Sequence, residues 1–267
     1  METYLYINGF KVNRPIILGK NIKLLPCECS PSPNDIIKVS KSEVDLGITT
    51  IFLRRVYSQL KLNASTPRAL AILAWNSLWE GVLLSAIYDC EAVCNFQCDI
   101  PAEKFDATSD LKVTNYHLRG LQNPYELTEE EAVWLETNIE KAKLLLKAPE
   151  FLGAIHSLAS YRWHPHPRAR LALIWAGIEG LFKIESEIVF RLSLYVSRFL
   201  AENDESERRK IFSSVKKLYK HRSHAVHGVN IKENESGIVL QSRQLLNRLI
   251  HQCIIEGSIP DIDRLAP

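Results

Sequence analysis

An arginine and a histidine, Arg222 and His227, lie five positions apart in the segment Tyr219–Gly228. An imidazole can take a proton from a ribose 2′-hydroxyl or give one to a leaving 5′-oxygen, and a guanidinium can bind two phosphate oxygens at once. Such a pair has the chemistry to cleave an RNA phosphodiester without a metal ion. Five residues at about 100° each leave the two side chains roughly 140° apart around an ideal helix. They would therefore meet through a helix distortion, through long side chains on one broad face, or across a symmetric interface.

The pair lies at the end of the most basic segment of the chain. Arg208–Gly228 holds seven lysine and arginine residues and no acidic one, whereas the whole chain has 33 Lys and Arg against 31 Asp and Glu. The net charge of +2 excludes a global field that would steer the protein to nucleic acid or to a membrane. The apolar residues of the segment recur at helical spacing, which leaves Lys216, Lys217 and Lys220 to face either solvent alone or bound RNA.

Three features of the sequence together resemble a known family. They are the apolar stretch Ala169–Phe182, Glu187 with Arg191 in the next segment, and Tyr219-x-x-Arg222-Ser223-x-x-x-His227-Gly228 after the basic run. In these features the second half of the chain resembles a HEPN domain, and most closely the ApeA-like branch of that superfamily. The resemblance implies a helical bundle that forms homodimers, with the arginine–histidine motifs of two subunits meeting at one cleft.

The resemblance also implies an activity and residue roles. The chain would be a metal-independent endoribonuclease of prokaryotic anti-phage defence or of a toxin–antitoxin system, leaving 2′,3′-cyclic phosphate and 5′-hydroxyl ends and needing no cofactor. Arg222 would bind and polarise the scissile phosphate, His227 would be the general acid or base, and Glu187 would orient Arg222 or Arg191. The supporting active-site residues would be Glu187, Arg191, Tyr219, Ser223 and His224, and the RNA-binding residues would be Lys216, Lys217 and Lys220.

Two other interpretations of the motif stay open. In one, the domain binds RNA or a protein and dimerises without catalysis, and His227 only packs or caps. In the other, the chain is the regulated half of a toxin–antitoxin pair, and a partner enzyme modifies Tyr219 or a nearby hydroxyl. A zinc site on His221, His224 and His227 is disfavoured because helical ligand pairs usually lie at i, i+4 and the nearby lysines repel a cation. We therefore predict no metal, and we expect RNA, a second copy and a protein trigger or antitoxin as partners.

The segments ahead of the basic run predict a small N-terminal domain of mixed α/β structure. Thr66 and Pro67 give a helix start, and the apolar residues after them predict a helix to about Tyr88. Turn residues separate the short β-prone runs. The predicted strands are Tyr4–Ile7, Ile16–Leu18, Ile22–Leu25, Ile36–Val39, Val93–Cys98, Leu111–Leu118 and Ile48–Leu60, the last of which also fits helical spacing.

After Pro124 the pattern is helical to the end, which predicts domains at residues 1–124 and 125–267. Thr128 ahead of three glutamates predicts a capped helix to about Lys147. Further helices are predicted around Phe151–Tyr161, Leu171–Phe182, Ile188–Phe199, Ile211–Tyr219 and Val239–Ile255. We therefore expect the α+β class, with a sensing or regulatory N-terminal α/β domain followed by an all-α, HEPN-type helical bundle.

Composition is that of a globular protein. The 267 residues are 46% hydrophobic and 24% charged, which supplies a core and excludes a disordered or collagen-like polymer. Six cysteines in so long a chain predict free thiols, and the first residues lack the pattern of a secretory signal, so we expect a cytoplasmic protein. The most apolar stretch, Ala69–Tyr88, is long enough to cross a bilayer. It contains Asn76, Ser77 and Glu80, so we predict a buried helix and no membrane partner.

Overall fold

Two compact units make up the chain in the computed structural model, which describes residues 1–117, 121–226 and 235–266. The first unit comprises Met1–Ser85 and Cys90–Glu140, and the second comprises Ala86–Asp89 and Lys141–Pro267. The first unit contains a sheet and the second is built of helices, which confirms the predicted α+β class. The sequence placed a domain boundary after Pro124, whereas the two units divide after Glu140.

A six-stranded antiparallel sheet is the framework of the first unit. In spatial order its strands are β3 (Ile16–Gly19), β4 (Ile22–Pro26), β5 (Val56–Asn63), β1 (Glu2–Asn8), β6 (Val93–Cys98) and β7 (Lys112–Val113). Two shorter strands, β2 (Phe10–Lys11) and β8 (Tyr125–Glu126), pair in parallel. The strands predicted at Tyr4–Ile7, Ile16–Leu18, Ile22–Leu25 and Val93–Cys98 are confirmed.

The prediction of a strand at Ile36–Val39 is wrong. These residues belong to α1 (Pro33–Val39). The Ser32 hydroxyl accepts a hydrogen bond from the backbone N–H of Asp35, and the Asp35 carboxylate accepts one from the backbone N–H of Ser32. This capping box, followed by a proline, starts a helix that the β-branched residues alone did not indicate.

The strand predicted at Ile48–Leu60 is correct only in its second half. Its first residues end α2 (Glu43–Phe52), in which the Ser42 side chain accepts a hydrogen bond from the backbone N–H of Asp45. The strand, β5, begins at Val56. The residues at helical spacing, Phe52, Val56 and Leu60, did not mark this helix, because Val56 and Leu60 lie in the strand; the cap at Ser42 marks it.

The long helix α3 (Pro67–Ile87) confirms the helix predicted to about Tyr88. By length and composition it is the one helix in the described ranges that could cross a membrane, yet 50% of its apolar window is buried, as in a core helix. The strand predicted at Leu111–Leu118 is limited to β7, and Leu118 lies outside the described residues.

Helices make up the second unit, which includes the end of α4 (Glu129–Leu145). The others are α5 (Pro149–Ser160), α6 (Pro167–Phe182), α7 (Ile188–Leu200), α8 (Glu205–Val226), α9 (Glu235–Glu256) and α10 (Ile262–Leu265). All six helices predicted after Pro124 are present, and α10 is an addition.

The central helix of the second unit is α6. Its residues Trp175 and Phe182 are fully buried. At Gly177, a Cβ atom would come within 2.8 Å of Ser157 Cβ on α5 and 3.0 Å of Leu246 on α9. The missing side chain therefore lets α5 and α9 pack closely against α6.

Candidate functional site

Arg222 lies near the C-terminal end of α8 and is held by an acidic residue of α6. Its Nη2 donates a hydrogen bond to Glu179 Oε2 at 3.0 Å, and its Nε lies 2.9 Å from Glu179 Oε1. The two side chains are 24% and 26% exposed. This two-point contact fixes one edge of the guanidinium while leaving the group partly open to solvent.

Two aromatic rings support the guanidinium. The Arg222 Cζ atom lies 5.4 Å from the centroid of the Tyr219 ring, one turn earlier on α8. That ring meets the buried Trp175 of α6 edge-on, with centroids 5.3 Å apart. Trp175 Nε1 in turn donates a hydrogen bond to Ser242 Oγ on α9 at 3.1 Å. The orientation of Arg222 is therefore set through contacts that join α6, α8 and α9.

Burial shifts the pKa of both Glu179 and Tyr219 beside Arg222. Burial raises the pKa of the Glu179 carboxyl above its ordinary value, and the Arg222 charge opposes that shift without cancelling it. Burial, and then the nearby Glu179, also raise the pKa of the Tyr219 hydroxyl. Burial of Glu179 thus outweighs Arg222 in setting the direction of the carboxyl pKa shift. The Glu179 carboxylate orients Arg222.

The structure pairs Glu187 with Arg191 rather than with Arg222. Glu187 precedes α7 with a left-handed backbone, φ 49°, and its side chain is 72% exposed. It forms an i,i+4 ion pair with Arg191, whose Nε lies 3.5 Å from its carboxylate. Of the two orientations expected from the sequence, Glu187 thus contacts Arg191, and the acidic partner of Arg222 is Glu179.

The three candidate RNA-binding lysines are exposed on another side of α8. At about 100° per residue, Lys216, Lys217 and Lys220 lie roughly 120° to 160° from Arg222 around the helix axis. We call these three side chains the lysine face. His224 lies one turn beyond Lys220 and continues this face. A polyanion on the lysine face would therefore not be over Arg222 of the same α8.

Two more candidate residues lie in the last turns of α8. Ser223 and His224 are both partly exposed. His227, the expected general acid or base, lies outside the described residues, as does Gly228. Of the predicted site residues, the structure therefore brings two pairs into contact, Arg222 with Tyr219 and Glu187 with Arg191.

Among the residues that the structure describes, no group of three or more His, Cys, Asp or Glu side chains could hold a metal ion. His221 is buried on α8. All six cysteines are free thiols, as predicted, and burial raises the pKa of Cys29 and Cys94 to about 12. Neither of these two thiols is primed as a nucleophile.

Glu179 is the residue that sequence reasoning missed. Its signal is a charge inside an apolar stripe, because Glu179 lies four residues after the buried Trp175 and next to the buried Ile178. Arg222 interrupts the apolar stripe of α8 in the same way, three residues after Tyr219. One acidic and one basic interruption in two packed helices indicate an interhelical pair.

Comparisons of the chain with models of protein families, with curated proteins and with solved structures found no match. The functional proposal therefore depends on the motif and on the geometry around Arg222.

Proposed function

We propose that this chain is a metal-independent endoribonuclease with Arg222 and His227 as its catalytic residues. The observation that carries the proposal is the Arg222 guanidinium, oriented by Glu179 and Tyr219 and partly open to solvent. A guanidinium has five N–H donors, so two contacts to Glu179 leave donors for the oxygens of a scissile phosphate. The motif Arg222-x4-His227, through which the chain resembles HEPN nucleases, supplies the imidazole.

The reaction needs one base, one acid and one anion-binding group. The ribose 2′-oxygen attacks phosphorus while its proton passes to an imidazole, and the P–O5′ bond breaks as the 5′-oxygen takes a proton from an imidazolium. Arg222 stabilises the extra negative charge that the phosphate oxygens carry in the transition state. The products are a 2′,3′-cyclic phosphate and a 5′-hydroxyl, and no metal or cofactor takes part.

A homodimer would supply the two imidazoles that this scheme uses. In this scheme one His227 acts as base and the His227 of a facing copy acts as acid, where the arginine–histidine motifs of the two copies meet. In this proposal the first unit senses a trigger, selects the substrate or restrains the nuclease.

The test is cleavage of total RNA by the purified full-length chain in excess EDTA, with analysis of the new ends. We expect cyclic phosphate ends from the wild type and none from Arg222→Ala or His227→Ala. The matched control is Arg209→Ala, which removes an arginine of the same helix that is 80% exposed and paired with Glu205. Equal cleavage by wild type and Arg222→Ala would refute the proposed role of Arg222.

A non-catalytic binding module is the second candidate. The observation that favours it is the contact of Arg222 with Glu179, because an ion pair between α6 and α8 can join two helices without any substrate. Under this alternative the wild type produces no new RNA ends in any buffer, while RNA binding or self-association persists. Cyclic phosphate ends that depend on both Arg222 and His227 would exclude it.

A further inference from the structure

A groove of about 520 Å³ runs between α8 and α9, on the side of α8 that carries Arg222. Its floor is apolar and is formed on α8 by Ile211, Val215 and Leu218. At 100° per residue these three side chains lie within about 40° of Arg222 around the helix axis. Arg222 is thus the next residue of the same stripe, about 6 Å of helix rise beyond Leu218. The groove and the candidate catalytic arginine share one face.

The walls of the groove carry amide groups. Gln241 and Gln244 line it from α9, and both are exposed. Within the described ranges, neither side-chain amide has a hydrogen-bond partner in the protein. An amide presents a donor and an acceptor side by side, which is the pattern needed to read the edge of a nucleobase. Base edges are open to such contacts when the strand is unpaired.

Two cations lie at the end of the groove that is far from Arg222. Lys210 and Arg248 both contact Glu207, at 3.9 Å and 3.7 Å, and the three side chains leave one net positive charge. Glu207 precedes Arg222 by fifteen residues, so its carboxylate lies about 22 Å of helix rise from the proposed cleavage point. The cations suit a phosphate backbone that enters there.

We infer that this groove binds a single strand of RNA and leads it to Arg222. The inference rests on the proposed function and names its substrate class, an unpaired strand recognised through base edges by Gln241 and Gln244. From Glu207 to Leu218 the groove is about 16 Å long, which is room for roughly five stacked nucleotides at about 3.4 Å each. The lysine face, which points away from Arg222, is then not the surface that holds the strand to be cut.

Binding can be measured apart from cleavage. The probe is a labelled oligonucleotide of about twelve nucleotides, methylated on every 2′-oxygen so that no 2′-hydroxyl can attack. Gln241→Ala/Gln244→Ala is expected to weaken its binding to the full-length chain by about tenfold, since each substitution removes one hydrogen bond to a base edge. Gln252→Ala, on the same helix and bonded to Glu256, is the matched control and is expected to bind like the wild type.

A second pair of variants tests the contribution of the cations to binding. Lys210→Gln/Arg248→Gln removes two cations of the groove and is expected to reduce the slope of log affinity against log salt by about 1.4. Lys216→Gln/Lys220→Gln removes the same charge from the lysine face and is expected to reduce the slope less, because these side chains do not line the groove. A duplex of the same sequence is expected to bind more weakly than the single strand.

Two results would overturn the inference. One is normal binding by both groove variants while the lysine-face variant loses affinity. The other is normal RNA binding by the groove variants together with altered self-association in light scattering, which would make the groove a protein contact. A wild type that binds the probe through the groove but yields no cyclic phosphate ends on unmodified RNA would refute the proposed function and leave the groove assignment standing.

Discussion

Removal of Arg222 should make the stability of the second unit depend on pH. In Arg222→Ala the carboxylate of Glu179 stays half-buried and loses the cation that lowers its pKa. Removing one partner of a fully buried pair costs about 3–5 kcal/mol, and disrupting an exposed pair costs about 0–1 kcal/mol. Since both side chains are about one quarter exposed, we expect a loss of about 1–2 kcal/mol at neutral pH.

The sign of the pH dependence follows from the direction of the Glu179 shift. Its folded-state pKa lies above the ordinary value of 4.5, and without Arg222 it rises further. A carboxyl with a raised folded pKa favours folding when it is protonated, and that contribution is lost as pH rises through the folded pKa. The electrostatic deficit of Arg222→Ala relative to wild type should therefore be smallest below the raised folded pKa of Glu179 in the wild type, grow as pH rises through it, and level off above the still higher pKa in the variant.

The assay is guanidinium unfolding followed by helical circular dichroism between about pH 4.5 and pH 8. With an m-value of about 4 kcal/mol/M, the expected loss shifts the midpoint by about 0.25–0.5 M. Adding Glu179→Gln to Arg222→Ala should recover at least half of the loss, because a neutral amide needs no counter-charge. Arg191→Ala, which disrupts an exposed pair, should change stability by less than about 0.5 kcal/mol at every pH. A deficit that is equal at both ends of the pH range, or that Glu179→Gln leaves unchanged, would refute the coupling of Glu179 and Arg222.

Two other variants test the positioning of Arg222 and the packing beneath it. Glu179→Gln should keep the free energy of unfolding within about 1 kcal/mol of wild type, because burial disfavours the charged form of the carboxyl. The same variant should reduce RNA cleavage by about tenfold or more without weakening RNA binding. Glu187→Gln is the control and should cleave normally, so equal activity of the two variants would contradict a positioning role for Glu179. Gly177→Ala should lower the free energy of unfolding by about 1–3 kcal/mol, because its Cβ would meet α5 and α9. Gly180→Ala, whose Cβ would have no atom within 4 Å, should raise it by up to about 1 kcal/mol. Similar effects of the two substitutions in thermal unfolding would contradict the close packing around α6.

The helices of the second unit were predictable because each has a clear apolar periodicity and a local start signal. Thr128 ahead of three glutamates and Pro167 after a histidine–proline turn mark two of these starts. In the first unit, short segments carry β-branched residues and capping residues together. There the cap at Ser32 or Ser42 decided the structure, and a periodicity over five or six residues could not show it.

The sequence predicts the basic side of the candidate site but not its acidic partner. Arg222 and Tyr219 follow from the motif and its spacing, but the acidic partner depends on which helix packs against α8. Glu187 has the expected residue type in the expected segment, yet its exposed start of α7 directs it to Arg191. The sequence marks Glu179 as a charge inside an apolar stripe, but that signal names Arg222 as its partner only once α6 is known to pack against α8, which is a tertiary property.

The energetics of the Arg222–Glu179 pair bear on the choice between a nuclease and a passive bundle. Burial keeps the pKa of the Glu179 carboxyl raised beside Arg222, and replacing a buried ion pair by apolar residues of similar volume is often neutral or stabilising. The same pair orients the guanidinium, because Nη2 donates a hydrogen bond to Glu179, Nε lies 2.9 Å from the same carboxylate, and the Tyr219 ring limits the remaining rotation. A charged group that is partly buried and oriented by neighbouring side chains is typical of a binding or catalytic site. For this reason the pH profile of Arg222→Ala and the activity of Glu179→Gln are more informative together than either is alone. If the pair only joins two helices, Glu179→Gln changes RNA binding or self-association only as far as it changes the free energy of unfolding. The proposed nuclease instead predicts that Glu179→Gln loses RNA cleavage while the free energy of unfolding stays nearly constant.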